Sequence, residues 1–146
     1  PQRSMLEQIL AVQLKEYKGQ VKIVRGLPSE TTKPGNTEGI EWFNHLPANE
    51  LQDMIDSAAL VVCRSGYTTV MDLVRVQKKA ILIPTPGQAE QEYLAAYLMQ
   101  QGIFLTVNQS DFDLQNEMEK AALFSPKFPL LDYVAFQKVI HQFVYG

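Results

Sequence analysis

The chain predicts an α/β fold: a parallel sheet with helices on both faces. Three observations carry this. The runs Val21–Val24, Ile40–Phe43, Leu60–Cys63, Ala80–Ile83 and Phe104–Val107 are short and mostly apolar, Leu60–Cys63 and Ala80–Ile83 without interruption. Strands buried on both faces read that way, whereas half-exposed strands alternate. Between these runs lie mostly helix-length segments with apolar residues three and four apart, as crossovers between parallel strands require. The 146 residues suffice for one core. Right-handed crossovers then give a Rossmann-like, doubly wound domain over residues 1–146.

The elements follow in order. Ser4 is expected to cap a first helix, with Glu7 as its capping-box partner. Leu6, Ile9, Leu10, Leu14 and Tyr17 fall on one face of it, and Lys18-Gly19 ends it. After strand Val21–Val24, the Pro-, Gly- and Thr-rich segment Leu27–Gly39 reads as a surface loop. Strand Ile40–Phe43 and the turn Asn44-His45-Leu46-Pro47 lead into a helix from about Ala48 to Ser57, with Leu51, Met54 and Ile55 inward. Strand Leu60–Cys63 runs through a small-residue loop into a helix ending near Val76. Strand Ala80–Ile83 is closed by Pro84-Thr85-Pro86-Gly87, and a helix from about Glu90 to Gln101 follows. After Phe104–Val107, Ser110 or Asp111 is expected to cap a helix reaching Leu123. Pro126 and Pro129 break the chain. Asp132 caps a last helix with Phe136, Val139, Ile140 and Phe143 on one stripe.

Composition narrows the function. The net charge is -3, and no Lys/Arg cluster marks a nucleic-acid face. The single cysteine, Cys63, forms no internal disulfide, which fits a cytoplasmic protein. One Cys and two separated His residues make no metal motif. No segment approaches the roughly 20 apolar residues of a membrane span. The chain opens Pro1-Gln2-Arg3, and Met5 lies inside a helical pattern, so it is expected to be a piece of a longer protein.

The segment Leu60 to Leu73 carries the most functional information. A buried strand stops at Arg64-Ser65-Gly66 and turns directly into a helix. Such a turn aims backbone N–H groups outward at a helix N-terminus, where anions bind. Ser65 and Gly66 let a ligand approach the backbone closely, and Thr68 and Thr69 add hydroxyls. The same residues also suit a plain tight turn capped by Thr. Asp72, one turn further on, is either a dipole-stabilising surface carboxylate or an acceptor for ribose hydroxyls. Gln88, Glu90 and Gln91 open the next helix, either as a solvated start or as amide and carboxylate partners for sugar hydroxyls. His45 is a general base or a surface residue. His141 reads as exposed, Trp42 as core and Cys63 as an inert apolar residue.

Taken together these segments resemble the C-terminal, donor-binding domain of GT-B glycosyltransferases. The likeness is strongest to the family 28 enzymes that move N-acetylglucosamine from UDP onto a lipid-linked acceptor. It is carried by Ala59-Leu60-Val61-Val62-Cys63-Arg64-Ser65-Gly66, then Thr69-Val70 and Asp72, Lys79–Pro84, Gln91, and the stretch ending near Gly102. The resemblance implies that Ser65, Gly66, Thr68 and Thr69, with Arg64 beside them, face the donor diphosphate. It implies that Asp72 meets the ribose, that Gln91 and neighbouring Gln88 meet the sugar, and that backbone near Phe43–Leu46 faces uracil. It implies a nucleotide-sugar as ligand, no cofactor and no metal. An N-terminal domain outside this chain would hold the acceptor and base and make peripheral contact with a membrane. The last helix would pack back against that domain. The chain departs from the family in Gly87-Gln88-Ala89-Glu90, where an acidic pair is frequent, and in Leu94, where Asn is frequent. It also lacks the strand and glycine loop ahead of the first helix. The competing expectations are a GT-B-fold nucleotide-sugar epimerase and a non-catalytic binding or partner subunit.

Overall fold

The computed structural model describes residues 2–129; the expected helix after Asp132, including His141, lies outside them. The chain forms two compact units, Pro1–Ala58 and Ala59–Gly146.

The first unit contains helix α1 (Gln2–Gln13), a 3-10 turn (Leu14–Glu16), strands β1 (Val21–Val24) and β2 (Ile40–Phe43), and helix α2 (Ala48–Ser57). β1 and β2 pair in parallel, with Val21 opposite Ile40 and Val24 opposite Phe43. Leu14, Trp42 and Leu46 are its buried apolar residues. The expected capping box at Ser4 does not form, because α1 already begins at Gln2 and Ser4 lies inside it. Glu7 instead accepts from Arg25 Nε at 3.1 Å. The loop before β2 is held by side chains. Asn44 Nδ2 donates to the carbonyls of Glu30 and Thr32, and Lys33 Nζ donates to the carbonyl of Trp42.

The second unit contains β3 (Val61–Cys63), α3 (Tyr67–Arg75), β4 (Ala80–Leu82), α4 (Ala89–Gln100), β5 (Leu105–Thr106), a 3-10 turn (Gln109–Asp111) and α5 (Leu114–Leu123). Its strands pair in parallel in the order β3-β4-β5, with α3 and α4 as the crossovers. The apolar run at β4 explains its central place: Ala80 through Ile83 are all at most 1 % exposed. Val70, Leu73 and Val74 of α3, Leu94, Ala95 and Leu98 of α4, and Ala121 of α5 are buried, as is Phe104. The ring of Phe104 meets Phe128 edge-on at 5.7 Å.

The helix ends follow their local chemistry. α4 closes with Gly102 at positive φ, where the Gly102 and Ile103 amides donate to the carbonyls of Met99 and Leu98. α3 closes the same way around Gln77, with Lys78 N–H reaching the Leu73 carbonyl at 2.9 Å. The cap of α5 is neither Ser110 nor Asp111. Those residues form the preceding 3-10 turn, and Asp113 caps by accepting from the Asn116 amide at 2.8 Å.

Candidate functional site

Parallel pairing brings the loops after β3, β4 and β5 to one edge of the sheet, where open α/β sheets bind ligands. The first loop is Arg64-Ser65-Gly66. Gly66 is the N-cap of α3 and keeps extended backbone (φ -68°, ψ 140°). No side chain caps the helix, so the reading of Thr68 or Thr69 as a cap is not what the fold adopts. Val70 N–H is the first helix amide to find an acceptor, at the Gly66 carbonyl. The amides of Tyr67, Thr68 and Thr69 have no acceptor among the described residues. A Cβ built on Gly66 would meet nothing within 4 Å, so the space before the helix is open. Tyr67 and Thr68 are exposed and Thr69 is half-buried. The site is thus an uncapped helix start with three free donors and the positive end of the helix dipole.

Arg64 and Ser65 face inward. The Arg64 guanidinium donates to the carbonyls of Ile83 at 3.2 Å and Pro84 at 3.1 Å, and to Gln109 Oε1 at 2.6 Å. It thereby ties the ends of β3, β4 and β5. Burial lowers its pKa from the ordinary guanidinium value. Ser65 is fully buried, and its hydroxyl donates to the Gln91 carbonyl at 2.9 Å. These two residues lock the loops together from behind the helix start. Nothing in sequence spacing pointed to Gln109, which lies 45 residues from Arg64.

The second loop turns through Gly87 at φ 80°, with Gln88 N–H on the Thr85 carbonyl. Glu92 accepts from the Gly87 amide at 2.9 Å. Gln91 Oε1 accepts from Thr85 N–H at 3.0 Å, and Gln91 Nε2 donates to Gln88 Oε1 at 2.6 Å. Gln88 itself is exposed. Leu94 is buried on the core face of α4.

Asp72 is half-exposed, with Arg75 3.8 Å away. Cys63 ends β3 half-buried, and burial pushes its thiol from 9.0 up to about 12, which keeps it protonated and inert. In the first unit, the carbonyls of Phe43 and Asn44 accept from Arg25 and Leu27 amides, so that part of the expected base-facing backbone is already used. His45 is exposed. Among the described residues, no three His, Cys, Asp or Glu side chains converge as metal ligands would. No helix there is long and apolar enough to cross a membrane.

Comparisons with known proteins bear on the family and the fold. Residues 5–132 match the model of the glycosyltransferase family 28 C-terminal domain. A relative from Methylorubrum extorquens (strain PA1) is 40% identical over 80 residues, covering 53% of this chain and 20% of its own length. One from Caldanaerobacter subterraneus subsp. tengcongensis is 31% identical over 117 residues, covering 75% of this chain and 32% of its own length. Both are named UDP-N-acetylglucosamine--N-acetylmuramyl-(pentapeptide) pyrophosphoryl-undecaprenol N-acetylglucosamine transferase. The chain therefore spans a third or less of the length of these relatives. Among solved structures, the spinosyn forosaminyltransferase SpnP superposes with a TM-score of 0.61 at 13% identity, over 82% of this chain and 29% of SpnP. That likeness supports the fold, a Rossmann-like α/β domain. The match over residues 5–132 leads to one assignment: this chain belongs to glycosyltransferase family 28, as its C-terminal domain.

Proposed function

We propose that the chain is the donor half of a glycosyltransferase and binds a UDP-sugar such as UDP-N-acetylglucosamine. The observation that carries this is the uncapped start of α3, where the Tyr67, Thr68 and Thr69 amides open onto free space before Gly66. Glycosyl transfer drives negative charge onto the departing diphosphate. Fixed N–H dipoles at a helix start stabilise that charge as it develops, without having to reorient. Gly66, Thr68 and Thr69 meet the diphosphate, Asp72 the ribose, and the Gln88–Gln91 corner the sugar. Arg64 and Ser65 hold these loops in register from within.

The acceptor, the catalytic base and any peripheral membrane contact belong to an N-terminal half, so the chain alone binds donor without turning it over. A single free thiol suits work at the cytoplasmic side, where thiols stay reduced. The test is calorimetric titration with UDP, GDP and dTDP. Micromolar binding that prefers UDP is the expected result. Absence of binding by all three would leave a domain that keeps the architecture without the donor site.

A further inference from the structure

Strand β2 is sealed along its outer side without the help of another strand. The Gly39 and Phe43 carbonyls accept from the Val21 and Arg25 amides, so the odd-numbered residues of this stretch bond to β1. Strand alternation then turns the backbone groups of Ile40 and Trp42 away from β1. All four of those groups have partners. Ile40 and Thr37 exchange both of their N–H···O bonds, at 3.0 and 3.1 Å. The Trp42 amide donates to Asn36 Oδ1 at 3.0 Å, and the Trp42 carbonyl accepts from Lys33 Nζ at 2.7 Å. The Lys33 ammonium also lies 5.5 Å from the centre of the Phe43 ring, whose face attracts a cation.

The segment that seals this edge cannot extend the sheet. Pro34 has no N–H and Gly35 no side chain. Lys33 and Asn36 reach β2 with side chains rather than backbone. The sheet of the first unit therefore stops at β2 instead of passing an open edge outward. Left unsealed, the edge would be adhesive. Ile40, Trp42 and Phe43 are residue types that strands favour, and unpaired N–H and C=O groups along them form a template for another chain. The same strand of a second copy offers such groups at every encounter. We propose that residues 33–37 are a strap that keeps β2 from adding a strand from a second copy of this chain, and that Lys33 and Asn36 are the two side chains that hold it closed. This stands whether or not the chain binds a nucleotide-sugar.

The test reads the edge and the association separately. Native-state hydrogen exchange is followed by NMR for the unaltered chain, Asn36→Ala, Lys33→Met and the Lys33→Met/Asn36→Ala pair, with light scattering of each over a concentration series. Met keeps the stem of Lys33 and loses the donor; Lys33→Arg keeps a donor and should match the unaltered chain. In dilute Asn36→Ala the Trp42 amide should exchange about five- to tenfold faster, the worth of one hydrogen bond. The Arg25 amide, on the β1 side, should stay as slow as before. The double variant should associate at a concentration at least about tenfold lower than the unaltered chain, because two freed backbone groups gain partners. Its Trp42 amide should slow again as it associates. An unchanged Trp42 rate in Asn36→Ala would overturn the strap. So would association that leaves the Trp42 amide fast, or a double variant with a fast Trp42 amide that stays as monomeric as the unaltered chain. Where the double variant also loses protection at Arg25, the β1-β2 pair has come apart, and the single variants decide. Lys33→Met should then associate more readily than Lys33→Arg, and equal association of the two would overturn the proposal.

Discussion

Arg64 and Gln109 are joined by a 2.6 Å hydrogen bond that spans the carboxyl edge of the β3-β4-β5 sheet. The same guanidinium holds the carbonyls of Ile83 and Pro84. One side chain thus fastens the ends of three strands, and the Arg64-Ser65-Gly66 loop takes its position from that fastening. Arg64→Ala should cost about 2–3 kcal/mol, because it removes charge-assisted bonds and strands the amide oxygen of the buried Gln109. Denaturant unfolding of Arg64→Ala, Gln109→Ala and the double variant checks this. The pair should couple by about 1 kcal/mol or more; simple additivity would show that the contact contributes nothing to stability.

Gly66→Val should separate folding from binding. The backbone at Gly66 is extended and a Cβ there touches nothing, so the variant should melt within about 1 kcal/mol of the parent. Its branched side chain would fill the approach to the free amides, and UDP affinity should fall at least about tenfold by calorimetry. Unchanged affinity would place the diphosphate elsewhere.

Asp72→Ala should leave stability alone, since its partner Arg75 is 3.8 Å away and both side chains are about half-exposed. UDP should bind about three- to tenfold more weakly if the carboxylate takes ribose hydroxyls. 2′-Deoxy-UDP provides the control: its affinity should be nearly insensitive to the same substitution.

Cys63 gives a pH signature. Its thiol is raised from 9.0 to about 12 in the folded chain, so the folded state favours the protonated form. The associated stability is complete below pH 9 and is lost as pH rises through about 12. Alkylation of the native chain at pH 8 should be slow and should become fast in denaturant. Rapid native alkylation would mean that the thiol is not enclosed.

Much of this was legible in the sequence because it depends on local pattern. Short, mostly apolar runs marked the parallel strands, and the Gly66 turn marked the strand-to-helix entry. What escaped depends on choices between near-equal local partners. Ser4 and Glu7 have capping-box spacing, but α1 starts earlier and Glu7 finds Arg25 instead. Ser110, Asp111 and Asp113 are all competent caps, and a 3-10 turn hands the role to the last. The inward roles of Arg64 and Ser65 depend on residues 45 and 26 positions away, a pairing that only the assembled sheet creates. Arg64 and Ser65 were read as facing the ligand, and their side chains instead brace the loop from within.

The most direct measurement is amide chemical-shift mapping of the isotope-labelled chain during titration with UDP. The account predicts that Gly66, Tyr67, Thr68 and Thr69 show the largest perturbations and that inorganic pyrophosphate perturbs the same group. Should UDP shift only amides remote from the start of α3, the idea of an anion-receiving helix end after Cys63 would be contradicted.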